Sequence, residues 1–82
     1  MTEDEIFHQL RGLCAEILAV DPALITPDTD LREELEADSL DMAELAVASG
    51  DRFDLLVDFD LARHVRTLGD VTTLVRAGVR AG

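Results

Sequence analysis

The sequence predicts an all-α fold: a four-helix bundle with a long loop between helices 1 and 2 and a short third helix. Apolar residues recur at the 3.6-residue helical period in separate stretches, and helix-capping patterns precede them. No stretch shows the alternation of polar and apolar residues that is typical of a strand. With 82 residues, the chain is expected to form a single domain, residues 1–82, around a thin core.

The first helix is expected from Glu3 to about Ala19. Thr2 and Glu5 have the spacing of a capping box, in which each side chain binds the other's backbone N–H. The expected core stripe at the helical period consists of Ile6, Leu10, Leu13 and Ile17. The expected water-facing residues are His8, Arg11, Ala15 and Ala19. Cys14 lies beside the stripe, where a small buried hydrophobe is the favoured interpretation.

The region 20–38 is expected to be a long loop. It contains Pro22 and Pro27 and shows no sustained period, and the residue before a proline is disfavoured in a helix. A loop of this length in a small domain is usually functional or anchored to the core. The predicted anchors are Leu24, Ile25, Leu31 and Leu35.

The second helix is expected to begin at Asp38 or Ser39 and to reach about Arg52. Placed at 100° steps, its predicted core side consists of Met42, Leu45, Ala46, Ser49 and Phe53. Its predicted outer side consists of Leu40, Ala43, Glu44, Val47 and Asp51, with Asp41 at the flank. The outer side therefore mixes acids with aliphatic side chains. Exposed aliphatic side chains are not needed on a helix face that only contacts water, so they indicate a contact surface.

Two further helices complete the prediction. The short third helix is expected over roughly 59–65. The fourth is expected from Leu68 to Ala77, after a capping pattern formed by Thr67 and Asp70, and Gly78 is expected to end it.

Charge and cysteine content narrow the function classes. The formal net charge is −11, from 18 acids against 7 bases that are all arginine. Nucleic acid and anionic membrane surfaces are disfavoured as partners because both attract cations, whereas basic protein patches are favoured. The charge also serves solubility, and this simpler interpretation stays open. A single cysteine and an acidic N-terminal segment lead us to expect a cytoplasmic protein. We also expect it to be a monomer.

Catalytic and metal-binding patterns are weak in this sequence. His8 and His64 are the side chains suited to act as a base near neutral pH, and neither has a clear link to Ser39 or Cys14. The acids do not follow a calcium-loop pattern, and Cys14 with the two histidines lacks zinc spacing. A small hydrolase and a metal site are therefore both disfavoured.

Ser39 is the strongest candidate for a functional residue. A serine at the start of a helix is, by default, an N-cap. The long preceding loop, the acidic and aliphatic helix face below it and the affinity of helix N-termini for phosphate favour a second interpretation. We expect Ser39 to be a site of covalent modification.

Ser39 lies in the motif Asp38-Ser39-Leu40-Asp41, which is followed by Glu44-Leu45. With this motif, the chain resembles the acyl carrier protein family. The stretches Arg52-Phe53-Asp54 and Thr67-Leu68-Gly69-Asp70-Val71 extend the resemblance over nearly the whole chain, which makes it far more specific than a tripeptide.

The resemblance implies a carrier that is not itself an enzyme. A phosphopantetheinyl transferase would join 4′-phosphopantetheine from coenzyme A to the Ser39 hydroxyl, with base and magnesium supplied by the transferase. The thiol of the arm would then hold acyl groups as thioesters. Further implied partners are a ketosynthase, an acyltransferase or other acyl-processing enzymes with basic patches. The residues implied to contact partners are Asp38, Leu40, Asp41, Glu44 and Val47.

Departures from the family pattern bear on the pathway. Glu36 occupies a position where many members have glycine, Gly50 interrupts the second helix, and an apolar 56–59 stretch replaces a polar loop. These favour polyketide or related specialised-metabolite biosynthesis. The alternatives are a fatty-acid synthesis carrier, an aminoacyl or peptidyl carrier, and an acidic interaction domain without an arm. The small residues Ala46, Ala48 and Ser49 suggest space for an acyl chain between the second and third helices.

Overall fold

The computed structural model describes residues 2–57 and 63–81 and confirms the all-helical class. Helix α1 spans Glu3–Leu18, α2 spans Ser39–Phe53 and α3 spans Leu68–Ala81, and a short 3-10 helix covers Pro22–Leu24. The described residues thus contain three α-helices where four were predicted. The predicted short helix over 59–65 falls largely on 58–62, outside the described residues, and the adjoining residues 63–64 form a turn.

All three α-helices begin with a reciprocal side-chain cap. In α1, Glu5 N–H donates to the Thr2 hydroxyl at 3.2 Å and Thr2 N–H donates to the Glu5 carboxylate at 3.1 Å. Thr67 and Asp70 repeat the pattern at the start of α3, with both bonds at 3.1 Å. These bonds satisfy N–H groups that the first turn leaves unpaired, which confirms the two capping boxes predicted from sequence.

The centre of the buried face of α1 differs from the predicted stripe. Ile6 and Leu10 are fully buried as expected, but Leu13 and Ile17 are only half-buried. Cys14 is buried as predicted. Ala15 was predicted to face water and is buried. The reason is that α1 packs against both α2 and α3, so its covered face is wider than a single stripe.

The loop between α1 and α2 is anchored by some of the predicted residues. Ile25 and Leu31 are buried, and Leu35 is half-buried against the core. The prediction for Leu24 was wrong, because its side chain is 66% exposed. Leu24 ends the 3-10 turn that Asp21 caps, and this turn directs Ile25 inward instead.

Backbone hydrogen bonds tie this loop to the start of α3. Leu31 N–H donates to the Arg66 carbonyl at 2.8 Å, and Gly69 N–H donates to the Pro27 carbonyl at 2.8 Å. Asp30 and Thr67 form an isolated β-bridge beside them. The loop is therefore a fixed part of the fold even though it is mostly irregular.

The contacts define two ends of the bundle. The start of α3 meets the loop near Ala37, two residues before α2 begins, and we call this end the serine pole. At the far pole, Arg76 of α3 pairs with Glu3 at 2.9 Å and Gly78 lies against Leu55, just after α2. Helices α2 and α3 therefore both run from the serine pole to the far pole, and α1 runs the opposite way.

Helix α3 is longer than predicted. Gly78 was expected to end it, but the helix continues through Gly78 to Ala81. A side-chain carbon built at Gly78 would lie 3.1 Å from Cδ2 of Leu55. Glycine at position 78 is thus explained by the close packing of Leu55 against the helix, and not by a left-handed residue that ends the helix.

Candidate functional site

Ser39 is the first residue of α2 and is exposed to solvent. The N-cap is Asp38, whose carboxylate accepts the Asp41 N–H at 2.8 Å, while Asp38 N–H donates to the Asp41 carboxylate at 3.1 Å. Because these two aspartates satisfy the cap, the Ser39 hydroxyl is not needed for it. An exposed hydroxyl is thereby presented at the positive end of the α2 dipole, where an attached phosphate is stabilised.

The backbone before Ser39 contains a left-handed turn. Glu36 has φ of 58°, a conformation that costs a residue other than glycine roughly 1–2 kcal/mol. The next residue, Ala37, is buried and its N–H donates to the Leu31 carbonyl at 3.0 Å. This turn redirects the chain from the anchored loop into the cap of α2. It also gives a physical reason for the glycine expected at position 36 from the family pattern.

The predicted partner-contacting residues lie on the outward side of α2. Leu40 is 66% exposed and Val47 is 54% exposed, which is high for large aliphatic side chains. Glu44 is exposed between them, and Asp41 is partly exposed. Two aliphatic groups and several carboxylates therefore share one surface below Ser39, and among the described α2 residues the first base along the helix is Arg52.

The opposite side of α2 lines an apolar cavity of about 330 Å³. From α2 it is lined by Met42, Leu45, Ala46 and Ser49, and from α3 by Val71, Leu74, Val75, Ala77 and Gly78. Both helices contribute residues at the i, i+3, i+4, i+7 spacing, so two matching stripes face each other. The cavity therefore lies between α2 and α3, and residues 55–57 and Val65 complete its described wall. Helix α3 is the helix predicted as the fourth, whereas the sequence suggested space between the second helix and the short third helix. Ala46 and Ser49 line the cavity as suggested, and Ala48 is not among its lining residues.

The structure gives no support to a nucleophile–base pair. Cys14 is buried, and burial raises the pKa of its thiol to about 11, so the nucleophilic thiolate is scarce at neutral pH. His8 is on the exposed side of α1, where its Nδ1 lies 2.9 Å from the Arg11 guanidinium. In residues 2–57 and 63–81, no three His, Cys, Asp or Glu side chains are grouped to hold a metal ion. Within the same ranges, no helix is long and apolar enough to cross a membrane.

Comparison with known proteins assigns the family. Residues 8–75 match the family described as "Phosphopantetheine attachment site". "Acyl carrier protein 2" of Ralstonia nicotianae is 38% identical over 77 residues, covering 94% of this chain and 95% of that protein. "Acyl carrier protein" of Lactobacillus acidophilus is 32% identical over 77 residues, covering 94% of this chain and 96% of that protein.

Further similarities come from mycobacteria and from solved structures. "Meromycolate extension acyl carrier protein" of Mycobacterium leprae is 35% identical over 77 residues, covering 93% of this chain and 66% of that protein. A solved Mycobacterium tuberculosis structure titled as an acyl carrier protein superposes with a TM-score of 0.82 at 30% identity, covering 88% of this chain and 96% of that chain. An Enterococcus faecalis acyl carrier protein superposes at 0.79 with 18% identity, covering 95% and 99%, and shows the shared fold.

The chain therefore belongs to the acyl carrier protein family. Its function is that of an acyl carrier, and covalent phosphopantetheine attachment is a general property of this family. Carriers of this kind are acted on by enzymes and do not catalyse the reactions themselves.

Sequence reasoning missed part of the cavity wall. Leu55 and Val57 line the cavity after α2 ends, and Leu56 lies beside them with a fully exposed side chain. Gly78 contributes from α3 although it was expected beyond the helix. The available signal was the unusually apolar composition of this connection, but composition alone does not show which side chain turns inward.

Proposed function

We propose that this protein carries acyl intermediates as thioesters on a 4′-phosphopantetheine arm attached to Ser39. The observation that carries the proposal is the exposed Ser39 hydroxyl at the α2 N-terminus, with the cap already satisfied by Asp38 and Asp41. The hydroxyl attacks the β-phosphate of coenzyme A. A phosphodiester to Ser39 forms, the diphosphate bond breaks, and adenosine 3′,5′-bisphosphate leaves. The transferase supplies base and magnesium, as the family resemblance implies.

Intact-mass measurement tests this attachment. The protein is incubated with coenzyme A, magnesium and a broad-specificity phosphopantetheinyl transferase, and we expect a gain of one phosphopantetheine. Ser39→Ala is expected to show no gain. Ser49→Ala is the matched control, because Ser49 is on the same helix but is buried and bonded to the Leu45 carbonyl. A native protein that gains no mass would refute the proposal.

We further propose that the outward side of α2 selects the partner enzymes. Asp38, Leu40, Asp41, Glu44 and Val47 would contact the transferase and a ketosynthase, an acyltransferase or other acyl-processing enzymes. Acidic groups steer association with basic patches, and the exposed aliphatic groups add apolar burial at close range.

Charge reversal at Glu44 tests the partner surface. Glu44→Arg is expected to lower the transferase kcat/KM about tenfold or more at low salt, with a smaller effect at high salt where charges are screened. Glu16→Arg is the control, because Glu16 is an exposed acid on α1. Equal losses in both variants would indicate a general charge effect and would argue against a specific surface.

The pathway that we propose is polyketide or related specialised-metabolite biosynthesis. Support comes from the apolar connection after α2 and from the similarity to a relative named for meromycolate extension. The alternative is general fatty-acid synthesis, and the Lactobacillus relative is named "Acyl carrier protein" with no specialised pathway in its name. If enzymes of general fatty-acid synthesis elongate acyl groups on this carrier as fast as on their own carrier protein, the assignment to a specialised pathway is wrong.

The cavity between α2 and α3 is the proposed position of the acyl chain. Its lining is apolar, and 330 Å³ holds about ten carbon atoms at the roughly 30 Å³ of a water-sized group. Methyl resonances of Leu45, Leu74 and Val75 are expected to shift between the holo form and a long-chain acyl form. Unchanged resonances would place the chain elsewhere.

We also propose that residues 1–82 form one domain that acts as a monomer in the cytoplasm. The high negative charge supports a monomer because copies repel each other. Light scattering coupled to size exclusion measures the mass in solution, and a concentration-independent dimer would contradict this proposal.

A further inference from the structure

Leu55 lies at the far pole and lines the cavity between α2 and α3. It follows Asp54, which adopts φ of 53° and ends α2 in the left-handed conformation. Leu55 N–H then donates to the Gly50 carbonyl at 3.0 Å. This turn folds the chain back over the last part of α2, so that Leu55 reaches across toward α3 and lines the cavity.

Leu55 packs against two glycines that lie on different helices. A side-chain carbon built at Gly50 would lie 2.8 Å from the Leu55 carbonyl oxygen, and one built at Gly78 would lie 3.1 Å from Leu55 Cδ2. The backbone of Leu55 thus packs on α2 and its isobutyl group on α3. Both glycines occupy helix interiors, where glycine is unfavourable relative to alanine, so the close approach explains their presence better than helix propensity does.

Leu55 lies at the end of the cavity that is farther from Ser39. Met42 lines the cavity one turn after Ser39, whereas Gly50 lies eleven residues further along the chain than Ser39, about 16 Å at 1.5 Å per residue. An acyl chain that enters from the serine pole therefore meets Leu55 at its far end. The opposed glycines hold Leu55 at a defined place between the helices.

We propose that Leu55, seated between Gly50 and Gly78, sets the maximum length of the acyl chain that the cavity accepts. This inference rests on the proposed cargo position. Gly78→Ala adds a methyl to the cavity wall and pushes Leu55 by a few tenths of an ångström, so the space shortens. Leu55→Ala removes the end of the wall, so the space lengthens.

The experiment measures chain-length dependence directly. The broad-specificity phosphopantetheinyl transferase and magnesium load native protein and variants from acyl-coenzyme A with saturated chains in one-carbon steps, releasing adenosine 3′,5′-bisphosphate. Thioester cleavage by hydroxylamine is then timed for each. In native protein the cleavage rate is expected to fall as the chain grows, until the chain fills the cavity. Leu55→Ala is expected to move this limit longer by about three carbons, since it removes three carbon atoms from the wall. Gly78→Ala is expected to move it shorter by about one carbon, the size of the added methyl.

Two control variants and one conservative variant separate this role from general packing. Gly12→Ala adds a methyl where nothing lies within 4 Å, and Gly69→Ala creates a 2.8 Å contact with the Pro27 carbonyl, away from the cavity lining. Both are expected to keep the native length limit, even where Gly69→Ala lowers the unfolding midpoint. Leu55→Val is the conservative variant should Leu55→Ala fail to fold, and it is expected to move the limit longer by a smaller amount.

The outcomes distinguish the two proposals. Loading that depends on Ser39, together with the same limit in native protein, Leu55→Val and Gly78→Ala, overturns the role of Leu55 and leaves the carrier function standing. The absence of any length dependence in native protein also overturns it. No mass gain on loading overturns the carrier proposal itself. Opposite shifts in the Leu55 and Gly78 variants, absent in Gly12→Ala and Gly69→Ala, establish the assignment.

Discussion

The connections that follow α1 and α2 begin alike and then differ. Ala19 and Asp54 both have left-handed backbone conformations. The N–H groups of Ala19 and Val20 both donate to the Ala15 carbonyl. In the same way, the N–H groups of Asp54 and Leu55 both donate to the Gly50 carbonyl. The first connection then returns to the core through Leu31 and binds the start of α3. The second places Leu55 against the cavity and Leu56 in water.

The two connections therefore have different roles: the first positions Ser39, and the second lines the cavity. The loop before Ser39 is held by backbone hydrogen bonds, which fix direction and register. Leu55 and Val57 contribute apolar packing to the cavity wall, which depends on side-chain volume. The first connection thus fixes the position of Ser39, and the second supplies part of the wall of the proposed cargo space. The predictions below, from the largest expected effect to the smallest, test the contrast.

The same leucine deletion in the two connections is expected to have very different costs. Leu31→Ala removes a fully buried side chain and is expected to lower the free energy of unfolding by about 3 kcal/mol. Leu56→Ala removes a fully exposed one and is expected to change it by less than about 0.5 kcal/mol. Urea denaturation measures both. A loss at Leu31 no larger than the loss at Leu56 would remove the distinction between the connections.

The hydroxyl of Thr29 is expected to contribute the next largest effect. Thr29 is buried, and its hydroxyl accepts the Thr26 N–H at 2.8 Å. Thr29→Ala leaves that N–H without its partner and is expected to cost about 1–2 kcal/mol of unfolding free energy. Thr73→Ala serves for comparison, because Thr73 is exposed and bonds only to its own helix, at the Gly69 carbonyl. Similar costs for both threonines would contradict the anchored loop.

Asp30 is expected to make the loop contribution to stability pH-dependent. The Glu33 backbone N–H, together with the Arg66 guanidinium at 3.2 Å, lowers the pKa of Asp30 below its usual value. A lowered folded-state pKa contributes stability that is present above the unfolded pKa of about 4 and is lost as the pH falls through the folded value. The stability difference between native protein and Asp30→Asn is therefore expected to be present at pH 7 and to shrink at acidic pH. Urea midpoints at several pH values measure it, and a pH-independent difference would exclude this role.

The left-handed residue before Ser39 is expected to give the smallest effect. Glu36→Gly relieves a conformational cost of roughly 1–2 kcal/mol but increases unfolded-chain entropy, so a net stabilisation of at most about 1 kcal/mol is expected. Glu33→Gly is the matched control outside the left-handed region and is expected to destabilise. Stabilisation by both changes would show that the effect does not come from the Glu36 conformation.

The sequence predicted the features that depend on near neighbours along the chain. The capping boxes at Thr2 and Thr67 follow from residue types at a fixed three-residue spacing. The two sides of α2 follow from the helical period, and the exposure of Leu40 and Val47 agrees with it. Such features need no knowledge of what packs against the helix.

Features that depend on distant contacts were predicted less well. Ala15 is buried because two other helices cover α1. The error at Leu24 is local instead, because the 3-10 turn at Pro22–Leu24 directs Ile25 inward and leaves Leu24 exposed. Glycine is the residue type expected just after a helix end, but the presence of glycine at position 78 is explained by its contact with the Leu55 side chain. The cavity wall at Leu55 was missed for the same reason, since it exists only when α2 and α3 are placed side by side.

The ion pair between Glu3 and Arg76 has a practical consequence. It places the beginning of α1 and the last turns of α3 together at the far pole, away from Ser39. A tether joined before Glu3 or after the last turn of α3 would therefore leave the molecule on the side opposite Ser39, the proposed site of the arm. Such a tether could fix the protein to a bead, or fuse it to a catalytic domain, without covering Ser39.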